Sequence, residues 1–377
     1  MRKFFDFALI TLMGLVLFAG CAAEKPWAPG EKLAKEKIKL GILYFTNLPA
    51  EHAGYSFSHE RGIRNMQQEL GLQDSQIIRK ANVSDADMPE LENVIRDCIA
   101  DGANIIIATS YGYMDSCEKM AAEFPGVIFA HATGNKYNDT NFTNYYGRMY
   151  QAMYLSGIAA GMKTRTGRIG YVAAMEKSNS QVTGFLDSFA LGVERANSRA
   201  KILVRVIYNW YDPMLEKNAA RSLIDAGCDV IAQGTDSAIP QIEAEKAGVW
   251  GVGFNSDLSG DAPGAVLTSA VYNWEVYYTM LVRSVIEGTF TTKPYFGGIG
   301  DGFVSVIPLS AFAAPGTEEL IEREKQRMLN EGFNVFDGIL ETNDGKTIGE
   351  SGATLSDSEI TENMNWYYRN ILEEQES

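Results

Sequence analysis

Aromatic rings and a carboxylate follow apolar segments at two matching places in the chain. The segment "IIIATSYGYMD" (105–115) leads from three isoleucines to Tyr111 and Tyr113, and "VIAQGTDS" (230–237) leads to Asp236. An aromatic ring can stack on a flat ligand, and a buried carboxylate must find hydrogen-bond donors. A flat heteroaromatic molecule with N–H groups would satisfy both, so these residues predict the recognition of a small ligand.

The residues that catalysis and metal binding require are not arranged for either task. The chain has three histidines, and none has the spacing of a metal ligand with another histidine or a cysteine. No Gly-x-Ser-x-Gly motif occurs, and the glycine-rich "GGIGDG" (297–302) lacks the lysine and the helix of a phosphate-binding loop. We therefore predict a binding protein rather than an enzyme, with no metal and no cofactor.

Length and composition indicate a folded chain of more than one domain. The 377 residues are 46% hydrophobic and 11% aromatic, which is enough for two domains of about 150 residues each. The formal net charge is -15, and no basic stripe offsets it locally. Such a surface repels nucleic acid, so we exclude a nucleic-acid partner.

An internal near-repeat predicts the architecture. The segment "CIADGANIIIATS" (98–110) is similar to "LIDAGCDVIAQGT" (223–235): in each, a helical pattern ends at a glycine and a short apolar strand follows. The similarity continues on both sides, so each half alternates strands with helices. This pattern is typical of a parallel sheet covered by helices, and two copies predict a two-lobed α/β protein.

The loops after the apolar strands are the candidate site, because open parallel sheets bind ligands at the carboxyl ends of their strands. The repeat places Tyr111 and Asp236 at equivalent positions, so that one lobe offers a ring and the other a carboxylate. Structural alternatives exist, since Asp236 could cap the next helix and Tyr113 could serve only to anchor one. The strand-end candidates are Tyr55, Ser110, Tyr111, His131, Trp210, Asp236, Asn255 and Asp257.

The N-terminus predicts export. A short basic start and an apolar run (7–17) lead through small residues to Cys21. This looks like a bacterial lipoprotein signal, in which residues 1–20 are removed and Cys21 is lipidated; an ordinary secretory signal is the alternative. Residues 21–37 are charged and contain two prolines, which predicts a flexible tether. We expect an extracytoplasmic protein held at the cell membrane.

The motifs occur in the order found in a known family. They are "TSYGYMD" (109–115), "HATG" (131–134), "WYDP" (210–213) and "QGTDS" (233–237). Over about residues 38–370 the chain resembles the basic membrane protein family, substrate-binding lipoproteins of ABC transporters that act as receptors for purine nucleosides and nucleobases. The resemblance implies a periplasmic binding protein type I fold, with two Rossmann-like lobes, a hinge and a ligand cleft between them.

The elements in the last third of the chain are expected to return to both lobes. The N-terminal lobe is expected to contain residues 38–146 and 258–292, and the C-terminal lobe residues 147–257 and 293–377.

The family also implies the class of ligand. Its nucleoside receptors hold ribose with an aspartate and a lysine, and these positions fall near Asn255 and Tyr272 here, so neither charged residue is present. The motifs instead resemble the branch associated with free adenine. A purine nucleoside or a sugar is the alternative ligand.

By this resemblance, Tyr55, Tyr111 and Trp210 flank the base, and Asp236 accepts hydrogen bonds from it. The implied role is delivery of the base to the permease subunits of an ABC importer. A lipoprotein that senses its ligand and regulates a partner is the alternative role.

Overall fold

The structure is a computed structural model that describes residues 27–46 and 53–373. The predicted signal peptide (1–20) and Cys21 lie outside the described residues. The elements before the first passage between lobes are β1 (Leu40–Leu43), α1 (Tyr55–Leu70), β2 (Ile77–Lys80), α2 (Met88–Ala100), β3 (Ile105–Ala108), α3 (Met114–Glu123), β4 (Ile128–Ala132) and β5 (Phe142–Gly147).

The remaining elements complete the second lobe and return twice across the hinge. The middle elements are α4 (Met149–Lys163), β6 (Arg168–Ala173), α5 (Ser180–Ala196), β7 (Lys201–Val206), α6 (Pro213–Asp225), β8 (Val230–Gly234), α7 (Ile239–Ala247), β9 (Trp250–Asn255) and β10 (Val266–Tyr272). The last elements are α8 (Trp274–Glu287), β11 (Tyr295–Gly297), β12 (Val304–Val306), α9 (Thr317–Asn330), β13 (Leu340–Glu341), β14 (Thr347–Ile348), α10 (Asp357–Glu362) and β15 (Ile371–Leu372).

Two sheets form the two predicted lobes. The first has the strand order β11-β5-β4-β3-β1-β2, and all of its pairs are parallel. The second has the order β12-β10-β9-β8-β6-β7-β15, in which only the β10–β12 pair is antiparallel. Strands such as β3 are buried along their whole length, as expected for parallel sheets covered on both faces.

The predicted lobe boundaries are wrong at two strands. Strand β10 was placed in the N-terminal lobe (258–292), but it pairs with β9 in the second sheet. Strand β11 was placed in the C-terminal lobe (293–377), but it pairs with β5 in the first. Within the described residues, the chain thus passes between lobes after β5, after β10 and after β11. These passages depend on strand pairing between segments that are distant in sequence, and the hydrophobic periodicity of the sequence does not indicate which strands pair.

The described part of the predicted tether is folded. Leu33 is buried, and its N–H donates to the carbonyl of Val285 in α8 at 3.1 Å. Trp27 packs against the main core. Residues 27–37 therefore belong to the first lobe, so the prediction of a flexible tether (21–37) is wrong for this part, and residues 21–26 lie outside the described residues.

Close packing of α4 on α5 forms the centre of the second lobe. A Cβ atom at Gly192 of α5 would lie 1.9 Å from the carbonyl oxygen of Tyr154 in α4, and one at Gly157 would lie 2.1 Å from the carbonyl oxygen of Phe189. The glycines let the two backbones touch, which larger residues would prevent.

We expect Gly192→Ala to destabilise the protein strongly, because the added methyl group must displace the backbone of α4. Overpacking of this kind costs about 1–3 kcal/mol or more. The free energy of unfolding from urea titration measures the effect. Gly260→Ala is the control, since no atom lies within 4 Å of a Cβ at that position; equal stability of the two variants would contradict the packing account.

Candidate ligand-binding site

The carboxyl ends of the two sheets meet across a closed cleft. Gly54, which precedes α1 in the first lobe, donates its N–H to Ser256 Oγ in the second lobe at 3.0 Å. The Ser256 hydroxyl in turn donates to the carbonyl of Gly54 at 3.0 Å. Ser256 follows β9, so the strand-end loops of both lobes take part in this contact.

Asp236 lies in this junction and is positioned by its own lobe. Its N–H donates to the carbonyl of Trp210 at 2.8 Å, and its Oδ1 accepts a hydrogen bond from Asn255 Nδ2 at 2.6 Å. The next helix, α7, begins at Ile239 with Ala238 at its N-cap and no side-chain cap. Asp236 therefore does not cap that helix, and the alternative role considered for it is wrong.

A buried glutamate fixes the loop around Asp236. Glu216 of α6 accepts hydrogen bonds from Thr235 Oγ1 at 2.8 Å and from Ser237 Oγ at 2.7 Å, the residues on either side of Asp236. Burial raises the pKa of Glu216, and the two hydroxyls act in the opposite direction. Sequence reasoning missed this residue, because no pattern distinguishes Glu216 from the solvent-facing glutamates of other helices.

Asn255 combines an unusual backbone with an unsatisfied side chain. Its φ is +62°, in the left-handed region that asparagine tolerates better than most residues. Its Nδ2 is bound to Asp236, and its buried Oδ1 has no hydrogen-bond partner in the part of the chain that the structure describes. A buried acceptor of this kind is available to an N–H of a ligand.

Tyr272 and Tyr55 bring aromatic surface to the same region. Tyr272 ends β10, next to Asn255 on β9, because Val271 pairs with Asn255 in the sheet. Its ring stacks on Trp274 at 4.4 Å between centroids. The ring of Tyr55 meets Trp274 edge-on at 5.9 Å.

The Tyr55 hydroxyl remains neutral. Burial is the main cause that raises its pKa, and the surrounding tyrosines and Asp236 from the other lobe raise it further. Tyr55 can therefore donate a hydrogen bond close to the Asp236 carboxylate.

Ser110 and His131 shape the loop after β3. His131 Nε2 donates to the carbonyl of Ser110 at 2.8 Å, and the Ser110 hydroxyl donates to Asp85 Oδ2 at 2.7 Å. Gly134 makes room for this imidazole, since a Cβ there would lie 2.3 Å from His131 Nδ1. Both residues thus hold the loop that carries Tyr111.

The two tyrosines of that loop differ in burial. Tyr113 is fully buried, and its hydroxyl donates to the carbonyl of Val83 at 2.6 Å, so it anchors α3 in the core. Tyr111 is 63% exposed.

The remaining candidates divide between the junction and the surface. Trp210 is partly buried against the main core. Asp257 is exposed, and its carboxylate accepts the N–H of Ser259 at 2.9 Å. The structure therefore brings Tyr55, Trp210, Asp236, Asn255 and Tyr272 together and leaves Tyr111 and Asp257 facing solvent.

These features define a two-lobed α/β protein whose strand-end loops place polar and aromatic side chains at the junction between the lobes. Among residues 27–46 and 53–373, no group of three histidine, cysteine or acidic side chains could hold a metal ion. Nor does that part of the chain contain a helix with the length and apolar character of a membrane span.

The chain belongs to the family of PnrA-like ABC transporter substrate-binding proteins, whose profile matches residues 44–335. It is 30% identical over 344 residues to a purine-binding protein of Brucella abortus, covering 91% of this chain and 95% of the relative. It is 29% identical over 285 residues to a Haloferax volcanii protein provisionally named as an ABC transporter glucose-binding protein, covering 76% of this chain and 71% of that one.

A solved structure shares the fold. It is a solute-binding protein of an ABC transporter from Conexibacter woesei, with a TM-score of 0.66 and 19% identity over 79% of this chain and 98% of that chain. The predicted type I periplasmic binding protein fold is thereby confirmed. Substrate-binding proteins of ABC importers act outside the cytoplasm and are not enzymes, which confirms the non-catalytic role.

Two buried histidines make stability sensitive to acid. Burial lowers the pKa of His131 to about 4 and that of His59 well below its ordinary value. The unfolded chain binds protons on these groups below about pH 6.5, whereas the folded protein does not. Their contribution to stability is therefore complete above that pH and is lost as the pH falls.

We expect His131→Gln to reduce this loss, because the glutamine amide can still donate to Ser110 but does not titrate. Between pH 7 and pH 5, the decline in the free energy of unfolding should be smaller by about 2 kcal/mol. Urea denaturation followed by circular dichroism at each pH measures it. An unchanged decline would show that the pKa of His131 is the same in the folded and the unfolded protein.

Proposed function

We propose that the protein binds a purine nucleobase of the adenine type between its lobes and delivers it to an ABC permease. The observation that carries the proposal is the Asn255–Asp236 pair, which leaves the Asn255 Oδ1 acceptor unused in a buried junction. The purine-binding relative from Brucella abortus supports the same class of ligand.

The hydrogen-bonding groups suit a neutral base with N–H donors. Adenine carries an amino group and a ring N–H, which match the oxygens of Asp236 and Asn255. The neutral hydroxyl of Tyr55 can donate to a ring nitrogen. Leaving the buried Oδ1 of Asn255 without a donor costs about 1–3 kcal/mol, so a ligand without a matching N–H would bind weakly.

The positions that would recognise ribose favour a free base. Asn255 and Tyr272 stand where the nucleoside receptors of the family carry charged residues, and the burial of Tyr272 raises its pKa well above the usual range. Neither side chain carries the charge with which those nucleoside receptors hold the ribose hydroxyls.

Stacking partners come from both lobes in this proposal. Tyr55 and Trp210 lie at the junction, and Tyr111 presents an exposed ring that a base could cover. Ser110 and His131 serve by positioning Tyr111. Asp257 is exposed, and its carboxylate already accepts the N–H of Ser259. Neither observation supports direct contact between Asp257 and the ligand.

Export and lipid attachment at Cys21 complete the proposal. A lipid anchor would hold the receptor beside its permease, which raises its effective concentration there. A sugar is the second candidate ligand, because the Haloferax volcanii relative is provisionally named for glucose.

Ligand titration separates these candidates. A ligand at 100 times its dissociation constant should stabilise residues 22–377 by about 2.7 kcal/mol in thermal denaturation. We expect adenine to produce this effect, and adenosine, ribose and glucose to produce less at equal concentration. Stabilisation by adenosine or glucose without stabilisation by adenine would contradict the nucleobase assignment.

Tyr111→Ala should weaken adenine binding by about 2- to 12-fold, the range expected for one ring-stacking contact. Calorimetric titration measures the dissociation constant. Phe312→Ala is the matched control, because this exposed ring lies against Trp250 at the amino end of β9, away from the strand-end loops. Similar affinities for both variants would remove Tyr111 from the site. Tyr113 cannot serve as the control, since it is a core residue.

A further inference from the structure

The reciprocal hydrogen bonds between Gly54 and Ser256 join the two lobes without using a ligand. Both are 3.0 Å long, and both partners are buried. The Ser256 hydroxyl thus accepts a hydrogen bond from the N–H of Gly54 and donates one to the carbonyl of the same residue. Because the two residues belong to different lobes, the pair exists only when the lobes are closed.

The backbone of Gly54 is specialised for this contact. Its φ is +94°, which residues with a side chain rarely adopt. A Cβ there would lie 2.3 Å from the carbonyl oxygen of Asp236 in the second lobe. Only a residue without a side chain can approach the opposite lobe so closely.

The neighbours of Gly54 extend the contact. Ala53 packs against an apolar cluster of the second lobe that includes Leu258. The Gly54 carbonyl also accepts the N–H of Ser58, so the contact lies at the start of α1. The partial positive charge of that helix end faces the loop of Asp236, which favours the approach of the carboxylate.

We infer that Gly54 and Ser256 form a closed-state latch, which sets the affinity for every ligand of the cleft without selecting among them. The reason is thermodynamic: apparent affinity is the intrinsic affinity multiplied by the fraction of protein in the binding-competent state. Loss of the latch lowers that fraction equally for each ligand. The inference rests on the proposed function only in its choice of adenine and hypoxanthine as probes.

The test compares Ser256→Ala with the parent protein, both as residues 22–377. Hydrogen exchange follows the Gly54 amide, and calorimetry measures ligand binding. Removing the hydroxyl should speed exchange of the Gly54 amide and weaken adenine and hypoxanthine binding by the same factor, about 5- to 160-fold for two hydrogen bonds. Gly54→Ala should weaken both at least as much. Ser259→Ala, in the same loop, is the matched control and should change neither quantity.

The outcomes distinguish the latch from the proposed function. If neither purine binds the parent protein, the nucleobase proposal fails. The latch is still tested in that case, by comparing exchange of the Gly54 amide between the ligand-free parent protein and the ligand-free Ser256→Ala variant. Faster exchange in the variant supports the latch, and equal exchange overturns it. Weakened binding of one purine alone would also overturn it, because Ser256 would then be contacting that ligand.

Discussion

The hydrogen bond from Asn255 to Asp236 is the interaction on which the binding junction depends. A carboxylate withdrawn from water must be supplied with donors, or it will take up a proton or face solvent. Asn255 supplies one donor, and Glu216 fixes the residues on both sides of Asp236. The left-handed backbone of Asn255 is the geometry that accompanies this pairing. The result is that the Asp236 carboxylate and the Asn255 amide have fixed positions at the junction between the lobes.

The two lobes contribute different chemistry to the junction. The first lobe offers mostly aromatic surface, in which His59 stacks on Trp274 at 3.9 Å and Tyr55 meets both rings edge-on. Burial keeps His59 and Tyr55 neutral. The second lobe offers the carboxylate and the amide of Asp236 and Asn255. A neutral, flat molecule with polar edges complements this division, whereas an anion would meet Asp236 unfavourably.

The route of the chain explains how contacts in the cleft are coupled to a movement of the lobes. The chain passes between the lobes next to Arg148, whose guanidinium binds both oxygens of Asp357 at 3.0 and 2.7 Å and donates to the carbonyl of Phe296. The first passage is thus tied to both β11 and α10. Contacts at the cleft and contacts at the hinge join the same two lobes, so any interaction made only in the closed arrangement favours the closed form over the open form.

The alternation of apolar strands and helices determined the two-lobed α/β fold, because period and turn chemistry are local properties of the chain. The motif order determined the family, and the repeat brought out Tyr111 and Asp236 as strand-end residues. Tertiary structure alone decided the rest, since it depends on residues distant in sequence. It buried Tyr113 while exposing Tyr111, paired Asp236 with Asn255, and placed β10 and β11 in the opposite sheets from those predicted. It also brought Gly54 to Ser256, 202 residues away. Such pairings follow from how the strands associate and how the lobes close, and no local pattern in the chain records them.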